Sequence, residues 1–245
     1  WYSSMRAPQD LATPEAVGRY AAERTLARLN GRKIATTECP VLFESPVAAG
    51  LLGSYVQATS GGALYRKASF LLDSVGTQVL PDWFSIEERP FLARGFRSAS
   101  FDADGVATRD SSLVTGGVLQ RYVLGTYSAR KLGLPTTGNA GGVHNLQVAS
   151  NAGDLESLLR GMGRGLLVTE LMGQGVNSIT GDYSRGASGF WVEDGRLQYP
   201  VDGITVAGNL KRMFRAIEAV GTDVDPRSHI RTGSILIGAM TVAGE

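Results

Sequence analysis

Between Glu170 and Gly195 the sequence reads ELMGQGVNSITGDYSRGASGFWVEDG, with glycine at positions 173, 175, 181, 186, 189 and 195. Glycine accepts positive φ without steric cost and lets another chain approach closely. Such a run is therefore either a shaped binding surface or a meander of strands joined by tight turns. Tyr183, Arg185, Phe190 and Trp191 stand between the glycines. Tyrosine, arginine and tryptophan are enriched where proteins bind partners, so the segment is expected to line a cleft or a subunit contact. Glycine is abundant throughout: 32 of 245 residues, about 13% against a usual 7% or so. With no low-complexity tract, that excess favours many turns and antiparallel β structure.

Turn and helix signals give the rest of the architecture. Asp104-Gly105, Gly116-Gly117 and Asp194-Gly195 read as hairpin turns between apolar stretches. Thr13-Pro14-Glu15 opens a helix running to about Asn30, with Val17, Ala21, Ala22, Thr25, Leu26 and Leu29 as its apolar face. Further helices are predicted over Val47 to Ala58, Asp154 to Met162 and Leu210 to Val220, the last ended by Gly221. Strands are predicted at Cys39 to Phe43, Leu166 to Leu171, Ser234 to Ile237 and Met240 to Ala243. The sum is an α+β fold, mainly antiparallel sheets with covering helices.

Composition excludes several functions. Net charge is +1, from 24 basic and 23 acidic residues, and Arg66-Lys67 and Arg130-Lys131 are isolated pairs. Direct nucleic-acid binding needs a basic face, which is missing here. No apolar run reaches membrane-spanning length. Cys39 is the one cysteine, so no intramolecular disulfide forms and a reducing cytoplasm is expected.

Zinc needs three or four histidine, cysteine or carboxylate ligands in a tetrahedron. The soft candidates are Cys39, His144 and His229, with no HExxH or HExxxH spacing, so neither histidine reads as a ligand. Ser128-Ala129-Arg130-Lys131 matches S-x-x-K, where a lysine activates a serine nucleophile, but the companion elements are missing. Gly186-Ala187-Ser188-Gly189 fails as a nucleophile elbow because Phe190 replaces the second glycine. Asp102 and Asp104 lack the rest of a calcium loop and read as a solvated turn.

The glycine-rich segment, TYSARKLGL (Thr126 to Leu134), TGNAGGVHN (Thr137 to Asn145) and the final AMTVAGE together resemble the PmbA/TldD family, on its PmbA (TldE) side. Members are roughly twice this long, and the chain starts at Trp1, so residues 1–245 are expected to be the C-terminal portion of such a protein. The resemblance implies a two-subunit metalloprotease acting on unstructured peptides such as a microcin precursor or an antitoxin. The TldD side carries zinc on an HExxxH helix with a later cysteine. Matched through Ala49 to Leu52, the helix motif falls on Ser54 to Thr59, with Ser54 and Thr59 at the histidines, Tyr55 at the glutamate and Thr232 near the cysteine. The resemblance thus implies a degenerate metal site and no metal in this chain. It leaves Tyr183, Arg185, Trp191, His144 and Asn145 as candidates for contacting peptide or a TldD-type partner, with an exposed glycine-lined strand edge holding the peptide. Some relatives have carried a label linked to DNA gyrase, which the charge balance does not support as DNA contact. The other readings are a non-enzymatic peptide- or protein-binding homodimer acting without TldD, and a hydrolase built on Ser128 and Lys131.

Overall fold

A computed structural model describes residues 1–244. In chain order the elements begin with α1 (Pro14–Ala27), β1 (Thr37–Phe43), α2 (Ser45–Ala58) and α3 (Gly61–Tyr65). Then come β2 (Ile86–Glu88), β3 (Ser111–Thr115), β4 (Val118–Leu119), α4 (Thr126–Leu132), β5 (Leu146–Val148) and α5 (Leu155–Met162). The remainder is β6 (Gly165–Met172), β7 (Asp182–Glu193), β8 (Arg196–Asn209), α6 (Leu210–Arg215), β9 (Ile217–Val220), β10 (Ile230–Arg231) and β11 (Ile235–Ala243). The fold is α+β and mostly antiparallel, as the turn pattern implies. None of the described helices is long and apolar enough to cross a membrane.

The larger sheet runs β1-β6-β7-β8-β11-β9, and β1 also pairs with β11. Five strands therefore form a closed circuit, with β9 appended to β11. Closure rests on β1, which pairs antiparallel to β11 (Phe43 opposite Ile235) and parallel to β6 (Phe43 opposite Val168). The smaller sheet has the order β10-β5-β2-β3-β4. One core spans both sheets: Phe43, Leu166 and Ile237 of the first pack in the same cluster as Ile86 and Leu113 of the second. The helix α2 belongs to this core, burying Ala48, Leu51, Leu52, Tyr55 and Ala58. On the other face of the large sheet, Leu158 and Leu159 of α5 cover Leu42, Leu167, Val192 and Leu236. Each such leucine contributes about 1.5–3 kcal/mol on burial.

The caps and turns follow local chemistry. The Thr13 hydroxyl accepts from the Ala16 N–H at the start of α1, and Asp154 accepts from the Ser157 N–H at the start of α5. Asp194 and Gly195 both have positive φ, 50° and 68°, as a two-residue hairpin turn with the right twist requires. They join β7 to β8.

Four sequence expectations are corrected. The face expected on α1 is not inside: no α1 residue is fully buried, and Leu26 and Leu29 are exposed. The last helix stops at Arg215, and Ile217 to Val220 is a strand against β11. The Ala216 carbonyl there accepts from Gly238 N–H of β11, and β-branched Ile217 and Val220 suit the pairing. The two final strands are a single one, β11. Asp104-Gly105 yields only an isolated bridge between Phe101 and Ala107.

Glycine roles divide sharply by position. A Cβ on Gly189 of β7 would lie 1.8 Å from the Leu167 carbonyl oxygen, whereas one on Gly50, on the exposed side of α2, meets nothing within 4 Å. In urea unfolding, Gly189→Ala is expected to destabilise the protein by more than about 3 kcal/mol. Gly50→Ala is expected to stabilise it by about 0.5–1 kcal/mol, and the two midpoints should move in opposite directions.

Candidate functional site

The positions matched to the metal motif do not converge. Ser54, Tyr55 and Thr59 occupy the last turns of α2, with Thr59 as its C-cap. Thr232 lies by the first turn, where its carbonyl accepts from the Ser45 hydroxyl at 2.8 Å. At 1.5 Å of rise per residue, the two ends are separated by about 14–21 Å, too far for one ion. The chemistry is unsuited as well. Thr59 is wholly buried and its hydroxyl donates to the Val56 carbonyl at 3.0 Å. Tyr55 is wholly buried, its hydroxyl has no partner, and burial pushes its pKa up. The Thr232 hydroxyl donates to the Gly233 carbonyl, and Ser54 is half-buried. Among the described residues no group of three histidines, cysteines or carboxylates is placed to hold a metal. These residues do not fit zinc. Cys39, buried in β1, is held protonated, its pKa pushed up to about 11 by burial.

The other nucleophile candidate also fails on geometry. The Ser128 hydroxyl donates to the Gly125 carbonyl at 3.2 Å, while the Lys131 ammonium lies over the Tyr127 ring. Asp102 is buried rather than solvated: it accepts from the Asp104, Val106 and Ala140 N–H groups. Asp104 accepts from the Thr126 backbone and hydroxyl at the start of α4, which holds its carboxyl below the usual range.

His144 and Asn145 are buried in the loop that leads into β5, not on an open surface. His144 Nδ1 is 3.1 Å from a Glu88 oxygen, which also takes the His144 N–H at 2.6 Å and the Asn139 amide at 2.8 Å. The other Glu88 oxygen takes the Arg121 guanidinium, which also donates to Asn139 and Ser111. Asn145 accepts from Arg97 N–H and donates to the Arg89 carbonyl and Ser98 hydroxyl. Both read as organisers of buried loops. Sequence reasoning overlooked Glu88 and Arg121. The signal was present: in Ile86-Glu87-Glu88 a period of two puts Glu88 on the same face as buried Ile86.

The glycine-rich segment forms the end of β6, a loop and β7. Because β7 pairs with both β6 and β8, it offers no free edge to a peptide. Tyr183 and Trp191 are core residues at 2% and 6% exposure, and the Tyr183 hydroxyl is unpartnered. Arg185 is half-buried, its Nε donating to the Met172 carbonyl.

The accessible part is the beginning. Glu170 lines a cleft of about 590 Å³ between α1 and the sheet, with Arg24, Arg28, Asp202, Thr169 and Trp1. Glu170 pairs with Arg28, and Arg24 grips Glu44 through both nitrogens at 2.7 and 2.6 Å. The Ser188 hydroxyl and Gly203 N–H hold the Asp202 carboxyl below its usual range. Trp1 lies against the guanidinium of Arg227, 3.6 Å from its ring centre, and that of Arg24. The cleft thus offers charges of both signs and an aromatic wall, which suits a polar extended chain.

Comparison with known proteins gives the family and the fold. The family model for the PmbA/TldA metallopeptidase C-terminal domain matches residues 36–244. The chain is 54% identical over 244 residues to the metalloprotease PmbA of Escherichia coli O157:H7, covering 100% of this chain and 54% of that protein. It is 53% identical to a metalloprotease PmbA homolog of Haemophilus influenzae, covering 99% and 54%. A crystal structure of a candidate DNA gyrase modulator from Bacteroides thetaiotaomicron superposes with a TM-score of 0.92 at 31% identity, covering 97% of this chain and 54% of that one. The chain spans about half the length of the curated relatives it matches.

A buried hydroxyl without a partner costs about 1–3 kcal/mol. Tyr55→Phe is therefore expected to raise the unfolding midpoint. A clear drop in thermal midpoint for Tyr55→Phe would show that the hydroxyl has a partner.

Proposed function

Because the chain belongs to the PmbA/TldD metallopeptidase family, we propose that it is the C-terminal portion of the PmbA-type subunit of a two-subunit protease. In this reading a TldD-type partner brings zinc, and this chain walls the chamber in which unstructured peptides, of the microcin-precursor or antitoxin kind, are cleaved. The work takes place in the cytoplasm, a reading supported by the single thiol among these 245 residues.

The observation that carries the reading is the donor set at Ser54, Tyr55, Thr59 and Thr232. Two buried hydroxyls with backbone partners, a buried phenol with no protein partner and a half-buried serine supply no imidazole, thiolate or carboxylate. A peptidase requires a polarised carbonyl, an activated water and a fixed peptide. The first two must then come from outside this chain. The third is within its means. In the cleft along α1, Arg28 and Glu170 meet a peptide backbone or its side chains, with Asp202 and Trp1 beside them. Arg185, the accessible member of the β7 trio, stands at the surface facing a partner or peptide.

Cleavage of one unstructured peptide should be measured for the full-length protein alone, for a zinc-loaded TldD-type subunit alone and for the mixture. Activity is expected in the mixture only, abolished by chelator. Chelator-resistant cleavage by this protein alone would return the Ser128 reading. In the mixture, Arg28→Ala together with Glu170→Ala is expected to raise KM several-fold with kcat little changed, as loss of peptide positioning without loss of chemistry does.

A further inference from the structure

A small pocket opens between α2, residues 66–80 and α6, apart from the cleft along α1. Its volume is about 220 Å³. That is below the roughly 300 Å³ at which small-molecule sites begin, and suits one amino-acid side chain. The pocket's accessible wall is apolar, Leu72 and Val79, with buried aromatic rings beneath. Tyr55 meets Phe214 edge-on with ring centres 5.4 Å apart, and Phe70 stacks on Phe214 at 6.5 Å. Lys211 and Arg215 also line it, one turn apart on α6. Arg215 donates to the Gln78 carbonyl at 2.9 Å. Among the described residues neither side chain has a carboxylate partner, and none of the residues lining the pocket is acidic. Two like charges at this helical spacing repel each other, so an anion between them relieves strain that the protein itself leaves uncompensated. An apolar floor under an uncompensated cationic rim is complementary to one chemistry: a carboxylate attached to an aromatic or branched apolar group.

We propose that this pocket takes the C-terminal residue of a peptide, its side chain against Leu72 and Val79 above Phe70 and its terminal carboxylate at Lys211 and Arg215. The proposal rests on the peptide-processing reading above and narrows its substrates to peptides with a free, apolar C-terminus. A free aromatic acid carries the same two groups, and the experiment separates the two sources.

The full-length protein without any partner is titrated against an unstructured peptide, labelled at its N-terminus and ending in phenylalanine with a free carboxylate. The same peptide as its C-terminal amide and 3-phenylpropionate as competitor complete the set. The amide is expected to bind about tenfold more weakly, and Lys211→Gln to weaken the acid about fivefold, the scale of partly exposed charge contacts. Lys131→Gln, which removes the same charge elsewhere, should change nothing. 3-Phenylpropionate should displace the peptide only at higher concentration. Both lysines are exposed, so the variants are expected to keep the wild-type thermal midpoint. Equal binding of acid and amide, or equal effects of the two lysine variants, would overturn the proposal. Tight, Lys211-dependent binding of 3-phenylpropionate with no binding of the peptide would overturn the peptide assignment in favour of a free acid. Binding is read without cleavage, so failure of peptidase activity in the two-subunit mixture would leave a positive result standing.

Discussion

The strand β1 holds the molecule together. Its seven residues, Thr37 to Phe43, lie between β11 on one side and β6 on the other, and these pairings close five strands into a circuit. Closure satisfies the backbone groups that an open sheet would present to solvent. It also fixes where α2 starts, because the chain leaves β1 at Phe43 and enters the helix at Ser45. The α2 helix then carries Tyr55 into the shared core, edge-on to Phe214, and buries Thr59 at its end. From one strand follow the position of the helix that resembles a metal-motif helix and the burial of its side chains.

That closure changes the meaning of the glycine-rich segment. Its glycines serve tight packing between neighbouring strands more than exposure to a ligand: Gly189 passes so close to Leu167 that no side chain fits. Tyr183 and Trp191 are drawn inward by the same pairing. The accessible part of the segment is its start, where Glu170 lines the cleft beside α1. Because β7 is paired on both sides, it has no edge to which a further strand could be added.

Local chemistry was legible in the sequence and distant pairing was not. The caps at Thr13 and Asp154, the turns at Gly116-Gly117 and Asp194-Gly195, and the inward face of α5 depend on neighbours within a few residues, and all appear as expected. The misread stretch from Ile217 to Val220 depends on β11, some fifteen residues further on. The apolar face of α1 misled for a related reason: periodicity shows that a helix has a face, not what covers it. Among the site residues, the family resemblance matched Ser54, Tyr55, Thr59 and Thr232 to a metal motif by sequence alone. It did not show that Thr232 stands at the far end of α2, which takes coordinates. Glu88 and Arg121 were missed because a charged pair in a core costs desolvation and is rarely assumed. In this fold four residues around Glu88 and Arg121, namely Asn139, His144, Ser111 and Tyr122, satisfy most of their polar atoms, leaving Arg121 Nε alone without a partner.

The central claim is that the chemistry of cleavage is not housed in this chain, whatever peptide its surfaces hold. The most direct measurement is the zinc content of the full-length protein copurified with a TldD-type subunit, against its content when purified alone. The account predicts one zinc per pair, and none above background for this protein by itself. Two zinc ions per pair, or stoichiometric zinc in this protein alone that is lost on replacing His144 or His229, would contradict it.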